Sequence, residues 1–410
     1  MALLTSRQQS TAERVAQAIT RIIQHSFPCI LILWVLCGDP LLSHAEEKVV
    51  SLNALAQWHL GDPLWSSSTV HGESILCLQE TEDTRPVGRL LFPVIGTLKV
   101  TRANQTEEFV EGFDYVVDRV RGRIELPQHS KIPFLQASSL FPPKDAVRSL
   151  AHRAGDLEQG VLFDNQHWFH DQQIEVTYKR ASEWTGYRPV SALQNLPKTA
   201  SKLHKGDPLT LAVSGDSISF GLNASGLTGA PPLMPTYPSL VAEHLRHTTK
   251  SQITLVNRAV SGWRIEQGIA DCPQLLESKP DLVIVAYGMN HIGARDPEGF
   301  RTLLQSLLRS IVESETRPEV ILLSPMIGND QWVHTPRDQF RPHRDAIAGL
   351  AGPGIAFADL TSMWENLLER KNNCDLTGNG VNHPNDFGHR IHAQVVLGLL
   401  DPAKTQSLPR

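Results

Sequence analysis

The stretch Leu211-Ala212-Val213-Ser214-Gly215-Asp216-Ser217-Ile218-Ser219 decides how the chain is read. An apolar run that stops at Gly-Asp-Ser reads as a buried strand delivering a hydroxyl to its carboxyl end. In open parallel sheets the reacting groups collect outside those ends, so Ser217 is placed to attack a bound substrate. By itself Gly-Asp-Ser is also an ordinary turn that caps a helix, and the case for chemistry depends on the residues downstream of it. From Leu209 to about Leu400, strand and helix patterns alternate. The expected strands run from Leu209 to Val213, Ile253 to Asn257, Leu282 to Tyr287, Val320 to Leu323 and Ile355 to Ala358. Leu282-Val283-Ile284-Val285-Ala286-Tyr287 is apolar without alternation, as a parallel strand covered on both faces requires. Phe300, Leu303, Leu304, Leu307, Leu308 and Ile311 recur at three- and four-residue steps, which is one helix face laid against a sheet. Five such units predict a doubly wound, three-layer α/β domain with a five-stranded parallel sheet over residues 209–401.

Upstream the pattern is different. Residues 46–187 carry short alternating segments broken by Gly, Pro, Asn and Asp, such as Arg89-Leu90-Leu91-Phe92, Thr97-Leu98-Lys99-Val100 and Gln173-Ile174-Glu175-Val176-Thr177-Tyr178. These read as strands of a β-rich accessory domain of sandwich type. Its tryptophans Trp58, Trp65 and Trp168 read as packing groups before they read as a sugar-stacking platform. Residues 188–208, with Pro189, Pro197 and Gly206-Asp207-Pro208, read as a linker. At the amino terminus, Arg7, Arg14 and Arg21 precede the apolar run Cys29 to Cys37, and Ser43-His44-Ala45 comes after it. That is the layout of a secretory signal over 1–45, and its apolar run is about half the ~20 residues of a spanning helix. Export without stable membrane insertion is therefore expected, with a secreted or periplasmic location. Residues 402–410 form a tail.

The formal net charge of −5 gives no broad basic field, which sets nucleic acid aside as a partner. Without the signal, Cys77, Cys272 and Cys374 remain, so at most one disulfide forms, and Cys272 with Cys374 is the pair considered. No spacing resembles a zinc site, and His244 with His247 lacks a third ligand; neither metal nor cofactor is expected.

Four loops carry what acyl transfer needs. A serine hydroxyl is a weak nucleophile until a base takes its proton, and the oxyanion it generates must be met by preorganised donors. Ser217 supplies the nucleophile. Gly262, in Asn257-Arg258-Ala259-Val260-Ser261-Gly262-Trp263, presents a backbone N–H unobstructed by a side chain. Asn290, in Tyr287-Gly288-Met289-Asn290-His291, offers a side-chain amide. His383, in Asn379-Gly380-Val381-Asn382-His383-Pro384-Asn385-Asp386, precedes the last helix and serves as base.

On these blocks the chain resembles the GDSL/SGNH hydrolase superfamily over about Leu209 to Leu400. Ser217, Gly262, Asn290 and His383 match the four residues that name it, in order. The resemblance implies attack of Ser217 on an ester carbonyl, an oxyanion hole from the N–H groups of Ser217 and Gly262 and the amide of Asn290, and His383 as the proton carrier. Two positions depart from the pattern. Gly380 stands where the family usually has an Asp three residues before the histidine, and His291 stands where it often has Asp. The resemblance leaves three readings of the missing acid: a Ser217–His383 dyad with a backbone carbonyl orienting the ring, as in two-domain carbohydrate acetylesterases; Asp375 reaching in; or Asp386 paired with His389. Trp263, Arg264 and Trp332 sit on loops at the active edge as candidate substrate contacts.

The expected function is an exported carboxyl-ester hydrolase that deacetylates a carbohydrate, with an acylated small molecule or polysaccharide as substrate. A lipid or thioester acylhydrolase, its acyl groove lined by Gly226 to Pro235, is the alternative within enzymes. A non-catalytic carbohydrate-binding or envelope protein on the same fold is the alternative outside them.

Overall fold

Two stretches of the chain fold differently because their hydrophobic periods differ. A computed structural model describes residues 57–401; the signal over 1–45 and the tail over 402–410 lie outside the described residues. No described helix is long and apolar enough to cross a membrane. In the first stretch short alternating runs form strands β1 (Thr69–Ile75), β2 (Cys77–Gln79), β3 (Val87–Arg89), β4 (Val94–Arg102), β5 (Glu108–Phe109), β6 (Val116–Asp118), β7 (Arg123–Glu125), β8 (Phe134–Gln136), β9 (Ser149–Arg153), β10 (Asp156–Leu162) and β11 (Ile174–Arg180). They make a sheet of order β1-β11-β4-β5, a second of order β6-β7-β3-β2-β8 and the hairpin β9-β10. Pairing is antiparallel except between β2 and β8. Trp58 and Trp65 are buried in the core, and Trp168 is half-buried against Phe169.

The second stretch is built on β12 (Leu209–Gly215), β13 (Ile253–Asn257), β14 (Leu282–Ala286), β15 (Glu319–Leu323) and β16 (Ile355–Ala358), all parallel, in the order β13-β12-β14-β15-β16. Successive side chains of a strand point to opposite faces. Leu211, Val213, Leu282, Ile284, Ile321 and Leu323 accordingly enter one core, which is shared with the β-rich part. Ala212, Val283, Val285, Val320 and Leu322 enter another, closed by Leu275, Phe300, Leu304 and Leu307 from the helices Ile265–Glu277 and Pro297–Val312. Burial on both faces is why these strands read as continuous apolar runs. Because β12 lies between β13 and β14, the loops following all three gather at the switch point of the sheet.

The last helix, Asp386–Leu399, is buried at all 14 positions. A helix buried all round needs partners on every side. It packs on helix Tyr237–Thr249 and on β1 and β16. From the β1 side, Arg390 Nη2 donates to Gly72 O at 2.9 Å, and Gln394 Nε2 donates to His59 O at 3.0 Å. The connecting segment is more ordered than a linker. Pro197–Lys205 forms a helix whose first N–H groups, those of Lys198 and Thr199, donate to Glu319 at 2.8 and 2.7 Å. The pairing considered for Cys272 and Cys374 is corrected: both thiols are free and buried, in separate apolar clusters.

Candidate active site

At the end of β12 the chain turns into a single helical turn, Ser217–Phe220, whose N-cap Asp216 accepts the Ile218 N–H at 3.0 Å. A capped turn of this kind starts reliably and fixes where the first residue points. Ser217 is that residue, and it is buried. The opposing loop is pinned by one side-chain oxygen. Asn379 Oδ1 accepts the N–H groups of Val381 at 2.9 Å, Asn382 at 3.0 Å and His383 at 3.1 Å. Asn329 holds the same loop from outside, its Nδ2 donating to Gly380 O at 3.0 Å and its N–H to Val381 O at 2.8 Å. The outcome is an imidazole aimed at the serine: His383 Nε2 lies 3.0 Å from Ser217 Oγ. The other ring nitrogen, Nδ1, lies 2.9 Å from Asn223 Oδ1. Burial first, and then the neighbouring His389, push His383 down to about 3, so the ring is neutral and able to accept a proton.

The loops after β13 and β14 are stitched together beside this pair. Gly262 has φ of 80°, and its N–H has no hydrogen-bond partner among the described residues. Asn290 Nδ2 donates to Trp263 O at 2.8 Å, which occupies one of its two hydrogens, and Arg264 Nη1 donates to Asn290 O at 2.7 Å. Trp263 is half-buried against the far-face core, and Arg264 caps helix Ile265–Glu277. Trp332 joins a different neighbour, donating its indole N–H to Ala151 O at 3.1 Å beside the β9-β10 hairpin. His291 is buried, 3.4 Å from Glu266, and burial lowers it to about 4.

Residues 213–391 match the family described as GDSL-like Lipase/Acylhydrolase. By this match the α/β domain is similar to the GDSL-like lipase/acylhydrolase family. No curated protein matches the sequence. Among solved structures, the chain is similar to a two-domain esterase (CEX) active on acetylated mannans, co-crystallized with mannopentaose, at 24% identity over 54% of this chain and 57% of that one, with a TM-score of 0.43. The chain thus spans little more than half the length of that esterase. It is also similar to a catalytic mutant of an acetylxylan esterase from Geobacillus stearothermophilus, at 21% identity over 50% of this chain and 99% of that one, with a TM-score of 0.40.

Against the GDSL-like pattern, the structure explains the missing acid. Gly380 has φ of 81°, and a Cβ there would lie 2.4 Å from Phe169 Cζ and 2.5 Å from Leu162 O. Both neighbours come from the β-rich part, which leaves no space for a carboxylate. The substitutes considered for it are corrected. Asp375 accepts the N–H groups of Leu76 and Asn372, each at 2.8 Å, and Asp386 accepts the Ser225 N–H at 2.8 Å. Neither is hydrogen-bonded to His383. His389 points elsewhere too, its Nε2 lying 3.2 Å from Leu222 O. Nor does a backbone carbonyl receive the His383 Nδ1. The group in that place is Asn223, six residues past the serine, which sequence reasoning missed. Its one local signal is Gly221-Leu222-Asn223, a left-handed glycine followed by an Asn with φ of 64°, and turns offer such pairs routinely.

Proposed function

We propose that the protein is an exported serine carboxyl-ester hydrolase that removes acetyl groups from a carbohydrate. The observation that carries this reading is the 3.0 Å approach of His383 Nε2 to Ser217 Oγ at the switch point of the sheet. In the proposed reaction Ser217 Oγ bonds to the ester carbonyl carbon while its proton passes to His383 Nε2. The backbone N–H groups of Ser217 and Gly262 and the second amide hydrogen of Asn290 receive the oxyanion. Collapse breaks the bond to the alkoxy oxygen, which leaves with the proton from Nε2. Water then repeats the sequence on the acyl-enzyme, giving the free acid and restoring Ser217.

A sugar substrate is supported by a cleft of about 390 Å3 that has Gly380, three residues before His383, in its lining. Arg153, Asn329, Gln331 and Asn373 line it, together with Phe141 and Phe169. Arg153 Nε and Asn373 Oδ1 are buried without a hydrogen-bond partner. Amides beside aromatic faces, with polar atoms unmatched, suit a neutral polyhydroxylated ring. Export rests on the reading of residues 1–45.

A serine-directed fluorophosphonate tests the chemistry. Wild type is expected to be modified, Ser217→Ala is not, and both Ser217→Ala and His383→Ala are expected to release no acetate from acetylated polysaccharide. An unmodified wild type overturns the hydrolase in favour of a binding protein on this fold. One observation favours the lipid or thioester alternative: Phe220, Leu227 and Leu233, all close after the nucleophile, are 44%, 44% and 56% exposed. Exposed apolar groups of this kind accept acyl chains. Rates on nitrophenyl esters of increasing length separate the readings, since a deacetylase falls off beyond acetyl and a lipid hydrolase rises.

A further inference from the structure

We infer that Asn223 is the third member of the reacting group, a neutral positioning residue whose side-chain carbonyl holds His383 in the one tautomer able to accept the Ser217 proton. The inference rests on the hydrolase reading and deepens it.

The orientation of the Asn223 amide is decided by what surrounds its nitrogen. Nδ2 donates to Gln166 O at 3.0 Å and Gly378 O at 3.2 Å, and Asn165 O lies 3.4 Å away. All three are backbone carbonyl oxygens, which only accept. Turning the amide over would set Oδ1 against them, so the oxygen faces the ring. A carbonyl oxygen opposite Nδ1 requires Nδ1 to carry the hydrogen. Neutral imidazole has one N–H, and Nε2 is therefore the bare nitrogen, 3.0 Å from the Ser217 hydroxyl that donates to it. Three backbone carbonyls thus determine a tautomer two steps away. Two of them, at 165 and 166, precede β11, and the third, at 378, belongs to the loop of His383 itself.

The same cage shows why the group is an amide. A carboxylate at 223 would present an oxygen to three oxygens, with no hydrogen between them. Asn is also among the few residues that accept a φ of 64°. The consequence reaches the chemistry: the imidazolium formed during turnover has no anion against its Nδ1–H. Of the titratable groups, His389 on the last helix acts on the ring, and it is itself kept neutral by burial, at about 4. The carboxylates on adjoining elements, Asp216, Asp375 and Asp386, are engaged by the N–H groups of Ile218, of Leu76 and Asn372, and of Ser225.

Long-range proton–nitrogen correlation on the purified protein reads the tautomer of His383 directly, whether or not a substrate is in hand. Nδ1–H is expected, and an Nε2–H pattern overturns the inference. Kinetics add a second arm. Asn223→Gly keeps the left-handed backbone without the amide and is expected to lower kcat by ~10²–10⁴-fold with KM little changed, by comparison with tautomer loss in serine proteases. Asn223→Asp loses the hold of the three carbonyls and turns its anion away from them toward the ring, which favours the charged form of His383 and moves the acid limb of kcat/KM up by about one pH unit or more. A structural role alone would not move that limb. Wild-type kcat in Asn223→Gly with an unmoved limb in Asn223→Asp sinks the positioning role while the hydrolase reading stands. A wild type that fluorophosphonate does not modify sinks both.

Discussion

Asp216 is next to the nucleophile in the chain, yet its carboxylate is buried and caps the Ser217 helix instead of orienting His383. Burial pushes it up to about 7, against an unfolded value near 3.9. Between about pH 4 and pH 7 the folded chain therefore holds a proton that the unfolded chain has released. Stability from this group is fully present at the acid end of the window and is lost as pH rises through it. Asn caps a helix about as well as Asp and carries no charge to bury. Asp216→Asn is expected to melt with wild type at pH 4 and above it at pH 8, the gap opening by on the order of 2–4 kcal/mol. Melting curves at a series of pH values check this. A gap that does not change with pH shows that Asp216 is not buried as a charge.

At the scale of the loop, residues 379–383 are held by Asn379, braced by Asn329 and backed by Phe169, and only glycine fits at 380. Installing the acid that the family uses at that position is therefore expected to harm the enzyme. Gly380→Asp should lower both stability and kcat, read by denaturant midpoint and acetate release, because the loop must move off Phe169 to admit a side chain. Activity at or above wild type would mean that the loop yields and the carboxylate reaches the ring. Legibility divides in the same way between local and distant causes. The central strands β12, β14 and β15 could be read because each is buried on both faces, and Ser217 and His383 because their neighbours in sequence fix their setting. Asn223 could not, since its role is set by carbonyls at 165, 166 and 378. Asp375 and Asp386 were attractive for being near His383 in sequence, but backbone N–H groups from 76 and 225 engage them. Helix Pro197–Lys205 was hidden for a related reason: its cap comes from Glu319, on β15, and not from its own flank.

The whole molecule is joined across a buried charge cluster. Lys371 Nζ donates to Glu73 Oε1 at 2.8 Å and to Arg89 O at 2.7 Å, and lies 3.9 Å from Asp375. Glu73, on β1, also accepts the Leu91 N–H at 2.9 Å and the Tyr178 hydroxyl at 2.6 Å. The cluster thus registers β1 against residues 371–375, and those residues lead directly into the loop that carries His383. The β-rich part is then a support for the catalytic loop as well as a wall of the cleft. Lys371 and Glu73 are both fully buried, so removing one partner leaves a charge without compensation. Lys371→Met is expected to cost ~3–5 kcal/mol, and Glu73→Gln a comparable amount. The double variant removes both charges and should lose clearly less than the sum of the two, the mark of groups that act as one. Denaturant midpoints of the four proteins give the coupling, and kcat measured well below each midpoint shows whether the loop shifts with it. Simple addition of the two losses would mean that Lys371 and Glu73 act separately and that the two parts are held in register by apolar packing and by their other contacts, such as Leu76 with Asp375 and Arg390 with Gly72.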